Sequence, residues 1–305
     1  MSAAHRFVWS PAYHCDIGSH VFPTAKYRAV HDALADAGVL AGRDVLEPGE
    51  PDRALLAHAH DADYLDDLLA ARATHRTLRS ELPVTPDVIA AFSRCAAGTL
   101  LAARGALETG VAAHAGGGLH HAYAGHAEGF CYVNDLAVAA AALRAEGRVR
   151  RVAIVDLDVH QGNGTAGIFR ACPDVFTLSL HQERNYPMPK EPGDLDVGLD
   201  DGTHDAAYLA ALDAALPAVW AHAPELVLYQ AGADPFHDDQ LGGLALTFDG
   251  LEARDRRVID GCAARGIPVV VTLGGGYARR TEDTVRIHAA TCRIALAAPE
   301  RRRHA

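Results

Sequence analysis

Four short segments carry side chains of the kinds that hold a metal ion and move protons. The segment AIVDLDVHQGNGT puts Asp156, Asp158, His160 and Asn163 directly after an apolar run. Side chains two apart at a strand end point the same way, so Asp158 and His160 can offer a carboxylate and an imidazole to one ion. LYQAGADPFHDDQLGG adds Asp234 behind a second apolar run as the natural third ligand, with Asp238 and Asp239 following in more polar surroundings. Two aspartates and one histidine leave a divalent cation an open position for water or a carbonyl, as catalytic sites do. The plainer alternative is a polar turn among glycines, with Asp234 capping the turn before Pro235.

AHAGGGLHHAYAGHAEGFCYVND places the tandem His120 and His121 behind Gly116, Gly117 and Gly118. On a tight loop both rings can face an attacking water, one as general base and the other as electrostatic partner or acid. With 18 histidines in the chain, a chance pair is the alternative. VVVTLGGGYARRT ends in glycines followed by Tyr277, whose hydroxyl can donate to the oxyanion formed when a carbonyl is attacked. A phosphate loop would need the Walker lysine or the dinucleotide spacing, and the segment has neither.

These segments need elements to bring them together. Residues 151–159, 174–180, 225–232 and 267–276 are near-continuously apolar, the pattern of parallel strands covered on both faces. Ala- and Leu-rich stretches at 24–38, 86–109, 133–146, 204–222, 249–265 and 281–297 have helical spacing, so the chain reads as parallel β-α units. Pro86 suits a first helical turn, and Asp249 is expected as an N-cap. The polar residues of interest all follow strands, which gathers them at the carboxyl edge of the sheet, where open α/β sheets bind ligands. No repeat, linker or low-complexity block divides the sequence, so one domain is expected over 1–305, with its core at about 5–297.

A formal charge of −11 disfavours a broad nucleic-acid surface and favours steering of a cationic substrate. The 6 cysteines lie at wide spacings without a C-x-x-C pair and read as reduced thiols. No apolar run is long enough to span a bilayer, and the N-terminus meets polar residues too early for a signal peptide, so the expected compartment is the cytoplasm. The basic tail ERRRHA, 300–305, is expected to be a solvated terminus.

Taken in order, GGLHHA, GFCYVND, DLDVHQGNGT, SLHQ, AGADP and LGGGY resemble the histone deacetylase superfamily, nearest its class IV branch. The likeness runs from VWSPAYHCD and HVFPTAKY to YARRTEDTVRIHAAT. It implies an arginase-like α/β fold with a central, mainly parallel sheet of about eight strands and helices on both faces. It also implies a zinc-dependent amidohydrolase that removes an acetyl or longer acyl group from a lysine side chain in a protein or peptide. By motif position, Asp158, His160 and Asp234 would bind Zn2+, with Fe2+ accepted by the same ligands. His121 would be base and then acid, His120 its electrostatic partner, and Tyr277 the group that polarises the acyl oxygen.

Asp156 matches the carboxylate behind His120, whereas Asn163 stands where many relatives carry a carboxylate behind His121. A neutral amide stabilises an imidazolium less than Asp does, so His121 is expected to titrate low. Gly129 and Phe130 match one wall of an acyl-lysine tunnel, with Gly275 on its floor and Cys131 close by. The opposite wall departs from the family pattern, leaving Tyr186 or Met188 to form it. The family also implies K+, held by Asp156, the Ser179 hydroxyl and the backbone oxygens of Asp158, His160 and Leu180. A binuclear arginase-type manganese site is set aside, because Gln161, Gly162 and Asn163 follow the D-x-H turn where carboxylates would be needed. Acylated polyamines are an alternative substrate, favoured by the negative charge, and a non-catalytic acyl-lysine-binding scaffold is a further reading. Neither nucleic acid nor membrane is an expected partner, and the sequence leaves the oligomeric state open.

Overall fold

Runs of Val, Ile and Leu without polar alternation are stable as strands only when both faces are covered. The computed structural model, which describes residues 5–299, builds them into one sheet. Its strands are β1 (Arg6–Val8), β2 (Val45–Leu46), β3 (Val111–His114), β4 (Val152–Asp156), β5 (Val175–Gln182), β6 (Leu195–Leu199), β7 (Leu226–Gln230) and β8 (Val269–Thr272). They lie in the order β2-β1-β3-β8-β7-β4-β5-β6, and every pairing is parallel. The helices are α1 (Lys26–Asp36), α2 (Arg53–Leu56), α3 (Ala62–Leu69), α4 (Pro86–Thr109), α5 (Asp135–Ala145), α6 (Asn163–Phe169), α7 (Asp205–Ala221), α8 (Phe248–Ala264) and α9 (Thr281–Ala297).

The four central strands, β3, β8, β7 and β4, are buried throughout. Helix α4 covers β1, β3 and β8 and packs on α5, while α1, α9, α8 and α7 lie side by side as a second layer. Strand register decides where the connecting loops begin. His114 pairs with Thr272, Thr272 with Gln230, and Gln230 with Asp156, so four neighbouring strands end level. The loops that leave them start from one line at the carboxyl edge of the sheet.

The four predicted strands and six predicted helices are all present, and α4 and α9 keep their expected limits. One capping expectation is corrected. Thr247, not Asp249, caps α8: its Oγ1 accepts from the Gly250 N–H at 3.1 Å and donates to Asp205 Oδ2 at 2.6 Å. The chain enters the helix two residues early, and Asp249 falls in the first turn, where its charge complements the helix dipole. Strands β1, β2 and β3 are too short to show periodicity, and β6 alternates half-buried and exposed positions at the sheet edge before the buried Leu199. All six cysteines are free. Among the described residues no helix is long and apolar enough to cross a membrane. The tail at 300–305 lies outside the described residues. Replacing the cap by Thr247→Ala is expected to lower stability by about 1 kcal/mol, read as a lower urea midpoint at unchanged slope. An unmoved midpoint would show that Asp249 can take over the cap.

Candidate active site

The predicted site residues ride on loops leaving the level ends of β3, β4, β7 and β8. Asp158, His160 and Asp234 each offer one ligand atom, all within 4.8 Å of one another, and all three residues are buried. β4 ends at Asp156, so Asp158 and His160 converge from a loop and not by strand alternation. The loop curls because the His160 N–H donates to Asp158 Oδ1 at 3.0 Å. The other oxygen, Asp158 Oδ2, accepts from Gln230 Nε2 at 2.8 Å and from the Gly275 N–H at 2.9 Å. A Cβ at Gly275 would strike Asp234 Oδ2, so only glycine lets this backbone approach so closely.

Asp234 Oδ1 accepts from the Val159 N–H at 2.9 Å, but Asp234 Oδ2 is buried without a hydrogen-bond partner, 3.2 Å from His160 Nδ1. A buried carboxylate oxygen in that condition calls for a cation or a proton. Two carboxylate oxygens and one imidazole nitrogen meeting this closely fit a divalent cation. The electrostatics agree. Burial opposes charge on His160, but the Asp158 and Asp234 carboxylates beside its ring outweigh it and push its pKa up to about 10. Burial, reinforced by the Asp158 charge, lifts Asp234 to about 7. Asp158 stays well below the usual carboxylate range, since His120 and His160 overcome its burial.

The two tandem histidines have different partners. His120 Nδ1 lies 2.6 Å from Asp156 Oδ2, and although burial acts to lower its pKa, Asp156 and Asp158 raise it to about 9. His121 Nδ1 lies 2.6 Å from Asn163 Oδ1, an oxygen that can only accept, so His121 carries its proton on Nδ1 and leaves Nε2 as an acceptor. Its pKa is held well below the usual value, by burial first and then by His120 and His160. The direction is the one expected, but its cause is burial and the two neighbouring rings; the Asn163 hydrogen bond acts to raise it.

Gly117 and Gly118 have φ of +68° and +81°, a path that side chains rarely follow, and a Cβ at Gly118 would meet the Gly274 backbone at 2.5 Å. Asp135 holds this loop by accepting from the Gly118 and Leu119 N–H groups at 3.1 and 2.7 Å.

Tyr277 borders the same cleft, a space of about 220 Å³ also lined by His121, Gly129, Phe130, His160 and Tyr186. Burial and the nearby Asp234 and Asp158 charges raise its pKa well above the usual value, so the hydroxyl keeps its proton. Tyr186 stands edge-on to His121, ring centres 5.0 Å apart, and donates to Glu128 Oε1 at 2.7 Å. Met188 is 73% exposed and does not line the cleft, so of the two only Tyr186 does. Gly275 and Cys131 line a smaller space beneath, together with His120. Asp156 sits opposite Ser179 in the β4–β5 ladder, and the buried Leu180 follows.

Several residues that hold the site carried little sequence signal. Gln230 closes an apolar strand, and Asp135 opens an Ala-rich helix, polar positions that a strand-end rule could have flagged. Asp239, expected in polar surroundings, is buried and accepts from the Tyr277 N–H at 2.7 Å, because the chain folds back over it. Lys26 is wholly buried, donates to the Gly274 carbonyl at 2.6 Å and is pushed by burial down to about 8. Replacing Asn163 by Asp is expected to raise the His121 pKa by about one pH unit or more, as an anion beside an imidazole does. Titration of the metal-free protein by NMR checks this, and an unchanged His121 curve would show that burial alone governs it.

Comparison with known proteins agrees with this geometry. The model of the histone deacetylase domain matches residues 20–292. An uncharacterised protein of Picosynechococcus is 42% identical over 291 residues, covering 94% of this chain and 97% of that protein. Histone deacetylase 2 of Arabidopsis thaliana is 33% identical over 278 residues, covering 87% of this chain and 72% of its own length. The crystal structure of the HDA15 HD domain matches with a TM-score of 0.80 and 25% identity, over 96% of this chain and 91% of that one. A match over nearly the whole chain, in sequence and in fold, places this protein in the histone deacetylase family, as a hydrolase of the deacetylase kind.

Proposed function

We propose that the protein is a metal-dependent amidohydrolase that removes an acetyl or longer acyl group from the side-chain nitrogen of lysine in a protein or peptide. The observation that carries this reading is the unpartnered Asp234 Oδ2, which meets Asp158 and His160 where His160 reaches a cleft also lined by His121 and Tyr277. Asp158, His160 and Asp234 would hold the ion, Zn2+ by preference with Fe2+ accepted by the same donors. When bound, the ion supplies Lewis acidity toward the acyl carbonyl and toward water.

The chain's own residues do the rest. Neutral His121 accepts the proton of the attacking water at Nε2, then delivers it to the departing amine nitrogen as the C–N bond breaks. His120, kept charged by Asp156, favours the negative charge that develops on the acyl oxygen. The Tyr277 hydroxyl donates to that oxygen as it becomes an oxyanion. Gly129 and Phe130 on one side and Tyr186 on the other grip the aliphatic chain, and Gly275 forms the floor. Asp156, Ser179 and Leu180, neighbours across the β4–β5 ladder, would hold K+.

Acylated polyamines are the second reading. The formal charge of −11 and the Glu81 carboxylate at the cleft rim both favour a substrate with several positive charges. A panel of acetyl-lysine peptide, long-chain acyl-lysine peptide and acetylated polyamine, assayed with and without chelator, ranks these substrates. Chelator-sensitive release is expected, and Tyr277→Phe should lose about 10²- to 10³-fold in kcat while its metal content stays unchanged. Silence across the panel in metal-loaded protein, or full turnover in Tyr277→Phe, would favour the acyl-lysine-binding scaffold or a different mechanism.

A further inference from the structure

We infer that Arg254, paired with Asp255, is a positioning residue that sets the metal affinity of the Asp158, His160 and Asp234 cluster, an inference that rests on the metal-site reading above. Arg254 is wholly buried and heads the fully buried side chains by volume. Its Nε donates to Asp255 Oδ1 at 2.9 Å, and Nη2 lies 2.8 Å from the same oxygen. Nη1 donates to two backbone carbonyls, Gly232 at 2.6 Å and Leu157 at 3.3 Å. Leu157 directly precedes Asp158, and Gly232 stands two residues before Asp234. One nitrogen therefore bridges the two loops that carry the two carboxylates of the cluster.

Both ends of this bridge are fixed. Asp255 accepts from the Tyr229 and Thr291 hydroxyls, each at 2.5 Å, which ties α8 to β7 and α9. At the loop end, a Cβ on Gly232 would strike the Asp158 carboxylate, so the loops already touch. The Gly232 N–H donates to Gln230 Oε1 at 2.8 Å, and Gln230 Nε2 in turn donates to Asp158 Oδ2. A shift of the Gly232 carbonyl would thus move Asp234 relative to Asp158.

A buried ion pair is not needed to pack helices on a sheet, since apolar residues of similar size do so as well or better. What the planar guanidinium adds is a rigid fork, able to engage a carboxylate and two carbonyls at once. Lysine can keep the charge but not that geometry. Partners that orient ligating carboxylates are a recognised source of metal affinity.

The test compares wild type with Arg254→Lys and with the double variant Arg254→Met, Asp255→Leu, which removes both charges at similar volume. Zn2+ affinity of the metal-free full-length proteins is measured by competition with a chromophoric chelator, alongside their thermal unfolding. The expected result is near-wild-type unfolding of the metal-free protein in at least one variant, with Zn2+ Kd weakened about 10- to 100-fold. A folded variant that binds Zn2+ as tightly as wild type overturns the inference. Failure of both variants to fold overturns it too, because the pair would then serve the core as a whole. Wild type that takes up no Zn2+ removes the underlying metal-site reading, an outcome distinct from either of these.

Discussion

Two carboxylates and an imidazole share one water-poor corner of this molecule, and most of the local structure answers the repulsion between those carboxylates. Neither Asp158 nor Asp234 could stay ionised there unaided, since burial and a neighbouring like charge both favour the neutral acid. The fold meets the problem asymmetrically. Asp158 receives Gln230, Gly275 and His160 as donors and stays charged, whereas Asp234 receives Val159 on one oxygen and nothing on the other, and rises to about 7. The unanswered oxygen is what makes the cluster fit a cation.

Meeting that demand requires backbone N–H groups aimed at fixed points, and the parallel sheet supplies them. Because β3, β8, β7 and β4 end in register, their loops start level and lean on one another. Val159, from the loop after β4, donates to Asp234 after β7, and Gly275, after β8, donates to Asp158 after β4. Each of the two carboxylates thus takes a donor from a neighbouring loop. The glycines at 118, 232 and 275 lie where these loops touch, and a Cβ at any of them would collide with a partner.

The same burial splits the tandem histidines. An anion behind His120 keeps it charged, and an amide behind His121 leaves burial and two cationic neighbours to keep it neutral. Adjacent groups with pKa values driven apart by their surroundings are how one site holds an acid form and a base form together. Here the carboxylates of Asp156 and Asp158 raise His120, while His121, hydrogen-bonded to neutral Asn163, is left to burial and its cationic neighbours.

Much of this is legible in the chain itself. The apolar runs at 151–159, 174–180, 225–232 and 267–276 can be satisfied only in doubly covered parallel strands, and a parallel sheet forces whatever comes after its strands onto one edge. Hence local pattern brings Asp158, His160, Asp234 and Tyr277 to one edge, while their roles in a single site come only from the family resemblance. The short strands β1, β2 and β3 and the alternating edge strand β6 leave no such trace, and the α8 cap moves to Thr247 because a cap depends on where the chain turns. The choice of Tyr186 over Met188, the burial of Asp239 and Lys26, and the bridge from Arg254 to Leu157 and Gly232 appear only in three dimensions. The reason is physical: side-chain periodicity is written residue by residue along the chain, whereas a hydrogen bond to a backbone carbonyl 97 residues away leaves no mark on either partner's identity.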